Sequence, residues 1–444
     1  MNKEFSRRSF SVLILFGIIG QIAWSVENMY FNLFVFDTIQ PNLNAITLMV
    51  QLSGVAATLT TLIAGTVSDK LGNRRSFISI GYIIWGITVM LFGFISAETV
   101  GAIFGVDADS AINLALAAVI IGDCIMTVFG SVANDAAFSA WVTDNTTSAN
   151  RGSIESILAI FPLIALLIVA GGFGIIKEAI GYRLMFLLLG AVISACGAVG
   201  IFLIKDSGEL QKNGTLRDML YGFKPSTVRN NLPFYIALII SCIYSVACQI
   251  FMPYLIIYMT ECLHFEVIEY SLVFGVAILF GAVVNLFLGK LSDKVSKINS
   301  MYIATAVFSL GLFLMYVART ENKLATVILF GISGFVMICG YIYISALAGA
   351  IVRDYTPEAD TGKLQGIRMI FFVLIPMLLG PTIGNAINAA KGERLPDQSS
   401  ADTMTTLFIP AAEIFLAAAL ISLLLFALIP VLSRVARKQS ANNK

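Results

Sequence analysis

Long apolar runs alternate with short polar connections along the whole chain. They fall near 10–36, 45–67, 77–96, 111–140, 153–176, 184–204, 232–259, 269–290, 301–318, 324–352, 366–389 and 405–432. A helix needs about 20 apolar residues to cross a hydrocarbon core of roughly 30 Å. Each run comes close to or exceeds that length, so the pattern predicts an all-α membrane protein of twelve transmembrane helices, six in each half. The alternating ten-residue pattern of a membrane β-barrel does not appear.

The polar connections repeat. Gly65-Thr-Val-Ser-Asp69-Lys70-Leu-Gly72-Asn-Arg74-Arg75 follows the second run, and a shorter copy, Gly289-Lys-Leu-Ser-Asp293-Lys294, follows the eighth, 224 residues later. Asp144-x-Thr146 with Gly152 recurs as Asp354-x-Thr356 with Gly362, an offset of 210. The difference of 14 matches the 97–110 stretch, which reads as a longer loop in the first half. Two similar halves are how many transporters are organised, with the substrate held between them at mid-membrane depth. The expected division is a six-helix bundle at 1–204, a polar, basic linker at 205–231, and a second bundle at 232–444.

Composition agrees with a lipid environment: 58% of residues are hydrophobic and 12% charged, far from a soluble domain. The net charge of +1 hides an asymmetry. With the N-terminus inside, the inner connections carry 22 of the 28 Lys and Arg, and the outer ones only Lys177, Arg183, Arg319, Lys323, Lys391 and Arg394. The excess of positive charge marks the cytoplasmic side, so both termini are expected there, in a cell membrane crossed many times. Lys3, Arg7 and Arg8 precede an apolar run of about 27 residues without a small-x-small cleavage site, which reads as a first span and not a signal peptide. The six Cys are scattered, with neither metal spacing nor a disulfide framework. Nothing suggests nucleic acid as a partner; the expected partners are a small-molecule substrate and the bilayer, and the expected state is a monomer.

The loop after the second span resembles the signature loop of the major facilitator superfamily at Gly65, Asp69, Lys70, Gly72, Arg74 and Arg75. Its copy keeps Gly289, Asp293 and Lys294, with Ser296 in place of the second Gly and no Arg pair. The resemblance implies two pseudo-symmetric six-helix bundles, with the first, fourth, seventh and tenth helices lining a central cavity. A carboxylate at an inner helix end can accept hydrogen bonds from a neighbouring helix N-terminus, whose dipole favours negative charge. The expected partners are the eleventh span, near Gly362 and Gly366, for Asp69, and the fifth, near Gly152, for Asp293. Together with Asp144, Arg151 and Asp354, these residues form an expected gating set. Within the superfamily, three stretches resemble the glycoside–pentoside–hexuronide cation symporters and related sucrose/proton symporters. They are Phe16-Gly17-x-x-x-Gln21-x-x-Trp24-x-x-Glu27-Asn28; Asn134-Asp135-x-x-Phe138-Ser139-Ala140-Trp141-x-x-Asp144 with Arg151-Gly152; and Asp354-x-Thr356-Pro357 with Gly362. Ser139 stands where the sucrose symporters usually carry an Arg, which counts against sucrose itself.

Chemistry is expected where polar groups enter the membrane. Glu27 lies roughly 14 Å and Asp123 roughly 18 Å from the outer ends of their helices, at 1.5 Å per residue. A charge at that depth costs at least about 2.5 kcal/mol unless it pairs, meets water or is protonated. No Lys, Arg or His occupies the middle of any span, so these acids are expected to carry a transported H+ or Na+ or to meet a cationic substrate. Asp135, nearer the inner surface, fits either a cavity or a latch. Polar residues at helical spacing form stripes: Gln21, Ser25, Asn28 and Asn32 on the first span; Asp123, Thr127, Ser131 and Asn134 on the fourth; Ser241, Ser245 and Cys248 with Tyr244 and Gln249 on the seventh. Tyr341 and Tyr343 add to them on the tenth. Amides and hydroxyls beside rings such as Trp24 suit a neutral, hydroxyl-rich solute. Anionic substrates would need an internal cation, and none is evident. No nucleophile–base set, metal cluster or Walker loop is present, so the chain reads as a secondary carrier, without catalytic residues or a resident cofactor. Two functions remain: cation-coupled uptake of a small neutral solute such as a sugar or glycoside, or proton-coupled export of cationic or amphipathic compounds.

Overall fold

A computed structural model describes residues 6–146, 154, 157–206, 218–357, 361–395 and 407–442. Helices dominate. In the first half they are α1 (Arg7–Thr38), α2 (Leu43–Leu71), α3 (Arg74–Phe92), α4 (Ala108–Asn145) and a long segment, Phe161–Leu203. Within that segment Gly181 has φ 74° and ψ 166°, which divides it into α5 (161–180) and α6 (182–203). In the second half follow α7 (Leu232–Cys262), α8 (Val267–Val295), α9 (Lys297–Val317), α10 (Lys323–Asp354), α11 (Thr361–Lys391) and α12 (Glu413–Lys438). Among the described residues eleven helices are long and apolar enough to cross a membrane, and with the longest divided at Gly181 they follow the twelve apolar runs. Among the described residues, the one strand-like feature is a bridge between Arg394 and Phe408.

Local chemistry sets the helix ends. Asn42, Asn73, Asp107 and Asn322 each cap a helix by accepting the backbone N–H three residues on, at 3.0–3.1 Å. Gly72 ends α2 with φ 64°, a left-handed conformation that glycine adopts without strain. The 97–110 stretch, expected as a loop, contains a short helix, Ala97–Phe104, capped by Ser96.

Five spans are interrupted by π-helical turns: Glu27–Phe31 in α1, Ser131–Phe138 in α4, Val169–Phe173 in α5, Tyr258–Cys262 in α7 and Ile370–Leu374 in α11. Four of the five fall in equivalent helices of the two halves, α1 with α7 and α5 with α11. Such turns are rare and frequent at functional sites.

The described residues form two compact units, one within Met1–Leu216 and one within Arg217–Asp397 with Met404–Lys444. Small residues let helices approach inside each. In the first, Gly86 of α3 faces the Gly190 carbonyl and Ser194 of α6. In the second, Gly311 of α9 faces Met337 of α10, and Gly340 of α10 faces Phe308 of α9. Without a hydrophobic drive between helices in lipid, close packing of this kind holds them together. Ring clusters fill each interior: Phe31, Phe34, Phe92 and Phe186 in the first unit, Phe251, Tyr258, Phe330 and Phe415 in the second. Large apolar residues such as Leu59, Ile63, Phe202, Phe287 and Leu324 face outward, as a lipid-facing surface requires.

Candidate functional site

The first unit gathers three carboxyl groups around α4. Glu27, in the π turn of α1, is 7% exposed and Asp123 of α4 is 1% exposed. The Thr127 hydroxyl, one turn beyond Asp123, donates to Glu27 Oε1 at 3.0 Å. Asp123 lies beside both Glu27 and Ser53 of α2. Glu27 Oε2 and Asp123 Oδ1 are shut from solvent and accept no hydrogen bond among the described residues. The third acid is Asp135, which accepts from the Ser131 hydroxyl at 3.1 Å and lies beside the Trp24 indole and close to Glu27.

Position follows from small residues at the crossing of α1, α3 and α4. Gly20 of α1 approaches so closely that a methyl there would lie 2.6 Å from both Asn134 Oδ1 and the Tyr82 hydroxyl. Tyr82 donates to the Phe16 carbonyl at 2.8 Å and to Asn134 Oδ1 at 3.0 Å. Gly130 leaves room for Trp24 and Trp85, whose rings meet at 4.8 Å. Tyr82 and Trp85 escape sequence reasoning, because a lone Tyr or Trp in an apolar run looks like core.

Among the described residues no Lys, Arg or His lies beside these acids. A buried carboxylate without a counter-charge costs several kcal/mol.

The amide stripe of α1 divides. Asn28 is exposed and donates to the Trp24 carbonyl at 2.8 Å; Asn32 is buried and donates to the Asn28 carbonyl at 2.8 Å. A π turn shifts backbone N–H groups to the carbonyl five residues back, which frees carbonyls four residues back for side-chain donors. Each of these two amides keeps its oxygen and a second N–H, and Asn32 Oδ1 is buried without a donor among the described residues. Gln21 and Trp24 are half-buried on the same helix.

The second unit places hydroxyls among rings. The Tyr244 hydroxyl of α7 donates to the Tyr341 carbonyl of α10 at 3.0 Å, and their rings lie 5.9 Å apart. Phe308 meets the Tyr244 ring edge-on at 5.6 Å. Cys248 and Ser345 adjoin the Tyr244 hydroxyl. Gln249 sits half-buried where Gly380 lets α11 pack onto α7.

The helix ends pair in both units. Arg74, at the start of α3, donates to Asp144 Oδ2 at the end of α4 at 3.0 Å and also bonds the Ser68 hydroxyl. Lys297, at the start of α9, donates to Asp354 Oδ2 at the end of α10 at 2.6 Å. The second copy thus has a cation after all, supplied 223 residues after Arg74 by Lys297. Arg75, the residue after Arg74, has its backbone N–H bonded to the Asp206 side chain, and Lys70 is exposed in the last turn of α2. Asp69 and Asp293 lie in the last turns of α2 and α8, but their side chains fall outside what is described, as do those of Gly289, Lys294 and Gly362. Arg151 and Gly152 lie outside the described residues.

The sequence profile described as Major Facilitator Superfamily matches residues 13–349 and again 238–444. No curated protein matches the chain. Among solved structures, the nucleoside transporter NupG superposes with a TM-score of 0.65 at 14% identity, over 96% of this chain and 99% of that one. A bacterial homologue of the iron transporter ferroportin gives 0.61 at 15% identity, over 97% and 98%. A bacterial homologue of the human lysosomal transporter Spinster gives 0.58 at 14% identity, over 98% and 99%. At such identities these likenesses describe the fold.

Proposed function

The chain belongs to the major facilitator superfamily, and on that premise we propose that it takes up a small neutral hydroxylated solute, such as a sugar or glycoside, driven by H+ or Na+. Alternating access moves the solute, and Glu27 and Asp123 carry the coupling ion. The carrying observation is that pair: two buried carboxyls which, among the described residues, each have an oxygen that accepts no hydrogen bond and no basic side chain beside them. Gln21, Trp24, Asn28, Asn32, Thr127 and Asn134 in the first unit, and Tyr244, Gln249 and Tyr341 in the second, bind the solute. Amide oxygens accept from its hydroxyls, and rings stack on its apolar faces. The loop residues around Asp69 and Asp293 govern alternation, and both termini face the cytoplasm of a cell carrying the protein in its inner (plasma) membrane.

The alternative is a proton-coupled exporter of lipophilic cations, which would draw on the same unpaired acids. A thermal-shift screen of purified protein separates the two. Sugars, glycosides, nucleosides, amino acids and lipophilic cations are tested with and without Na+. Stabilisation by a neutral hydroxylated solute is expected. Stabilisation by lipophilic cations alone would contradict the uptake reading.

A further inference from the structure

The fourth helix carries more polar groups than the coupling pair uses. From Asp123, the residues Thr127, Ser131 and Asp135 follow at four-residue steps, about 6 Å of rise each. Four residues of α-helix turn about 400°, so such a row drifts sideways by about 40° per step. The π turn at Ser131–Phe138 holds more residues per turn and takes part of that drift back. The row therefore stays on one face from mid-helix toward the C-terminal end of α4.

Every member can carry a proton. Thr127 and Ser131 are 1% and 0% exposed. Each hydroxyl both donates and accepts, and here Thr127 bonds Glu27 at one end and Ser131 bonds Asp135 at the other. Their Cβ atoms, one turn apart, stand about 5–6 Å from each other, a gap that a single water bridges. Trp24 and Trp85 press on α4 at Gly130, between the two hydroxyls, and wall the row with apolar rings. The other titratable groups here are Cys124 beside Asp123 and Glu27, Tyr82 beside Asp135, and Cys196 beside Tyr82. At the mid-helix end of the row, Glu27 Oε2 and Asp123 Oδ1 remain without a donor among the described residues. Among the described residues no three His, Cys, Asp or Glu side chains converge to hold one metal ion. Asp123 and Asp135 stand at the two ends of the row on α4, with Glu27 of α1 beside Asp123.

We propose that the coupling ion is a proton and that it passes between the C-terminal end of α4 and the Glu27–Asp123 pair by way of Asp135, Ser131 and Thr127. This rests on the reading that Glu27 and Asp123 couple transport. Asp135 takes a proton from water onto a carboxylate oxygen. It gives that proton to Ser131 as the hydroxyl releases its own to the bridging water. The water passes one to Thr127, and the Thr127 hydroxyl releases its own to Glu27. One O–H bond forms and one breaks at each step, and each hydroxyl ends as it began.

The test needs no substrate. The full-length protein is reconstituted in phosphatidylethanolamine–phosphatidylglycerol vesicles on a solid-supported membrane. Charge displacement is recorded after a pH step and after exchange of choline for Na+. The wild type is expected to respond to the pH step and not to Na+, and Glu27→Gln with Asp123→Asn is expected to abolish the response. Asp135→Asn and Ser131→Ala slow it at least about a hundredfold, the low end of the cost of losing a positioned proton-transfer group. Ser131→Thr restores it, because the hydroxyl returns. Ser131→Ala keeps the test decisive if Asp135→Asn does not fold. A Na+ response without a pH response in the wild type overturns the proton assignment. Wild-type rates in both Asp135→Asn and Ser131→Ala overturn the route. A wild type silent to both ions overturns the coupling role of Glu27 and Asp123 itself.

Discussion

A methyl group on Gly20 would fall 2.6 Å from two oxygens at once, those of Asn134 and Tyr82. Neither side chain can retreat freely, because Tyr82 also bonds the Phe16 carbonyl and both are buried. Gly20→Ala is therefore expected to lower stability by about 1–3 kcal/mol, the usual cost of overpacking a well-filled core, read as a lower melting temperature in detergent. An unchanged melting temperature would mean that α1 moves aside without strain. At this scale the sequence revealed the candidate acids but not their partners. Glu27 and Asp123 stand out as carboxyls inside apolar runs. That Thr127 bonds Glu27 depends on how α1 and α4 cross, and the π turn at Glu27–Phe31 leaves no mark in hydropathy. The same turn ties one N–H of each of Asn28 and Asn32 to their own helix, which a stripe of amides read at 100° per residue does not anticipate.

Between elements, the two ion pairs at the helix ends have the same plan and different burial. Side-chain exposure is 5% and 23% for Arg74–Asp144, against 42% and 49% for Lys297–Asp354. Charge-assisted hydrogen bonds shielded from water contribute about 1.5–3 kcal/mol, whereas exposed pairs contribute below about 1 kcal/mol and fade with salt. Arg74→Ala should destabilise the protein clearly and Lys297→Ala barely, with the melting temperatures compared at low and high salt. Equal losses would contradict the burial argument. The repeat marked Arg74, Asp144 and Asp354 as motif residues without pairing them, because which helix ends meet depends on packing. Lys297 follows Ser296, where the second copy lacks the Arg pair, and it bonds Asp354. Among the described residues, apolar length alone marks eleven helices able to cross a membrane, with the fifth and sixth runs in one continuous segment. Lys177 and Arg183 signalled the break between the fifth and sixth spans, and Gly181 makes it.

Across the whole molecule, the Lys and Arg distribution sets an orientation that labelling can check. Glu98 precedes α4 and Ser226 precedes α7, and both are exposed. A cysteine in place of Glu98 should react with an impermeant maleimide added outside intact cells, and one in place of Ser226 should not. Native cysteines give little background, since five are buried and Cys124 is half-buried. The reverse labelling would invert the topology and exchange the two faces between which the coupling ion moves. Orientation settled, the coupling role of Glu27 and Asp123 remains the centre of the account. It is tested most directly in proteoliposomes with the radiolabelled solute that the thermal-shift screen returns, by comparing gradient-driven accumulation with counterflow. Glu27→Gln and Asp123→Asn should each lose accumulation under an imposed H+ or Na+ gradient while counterflow persists, because shape is kept and the titrating group is gone. Full accumulation by both variants would contradict the account and leave these acids a purely structural role.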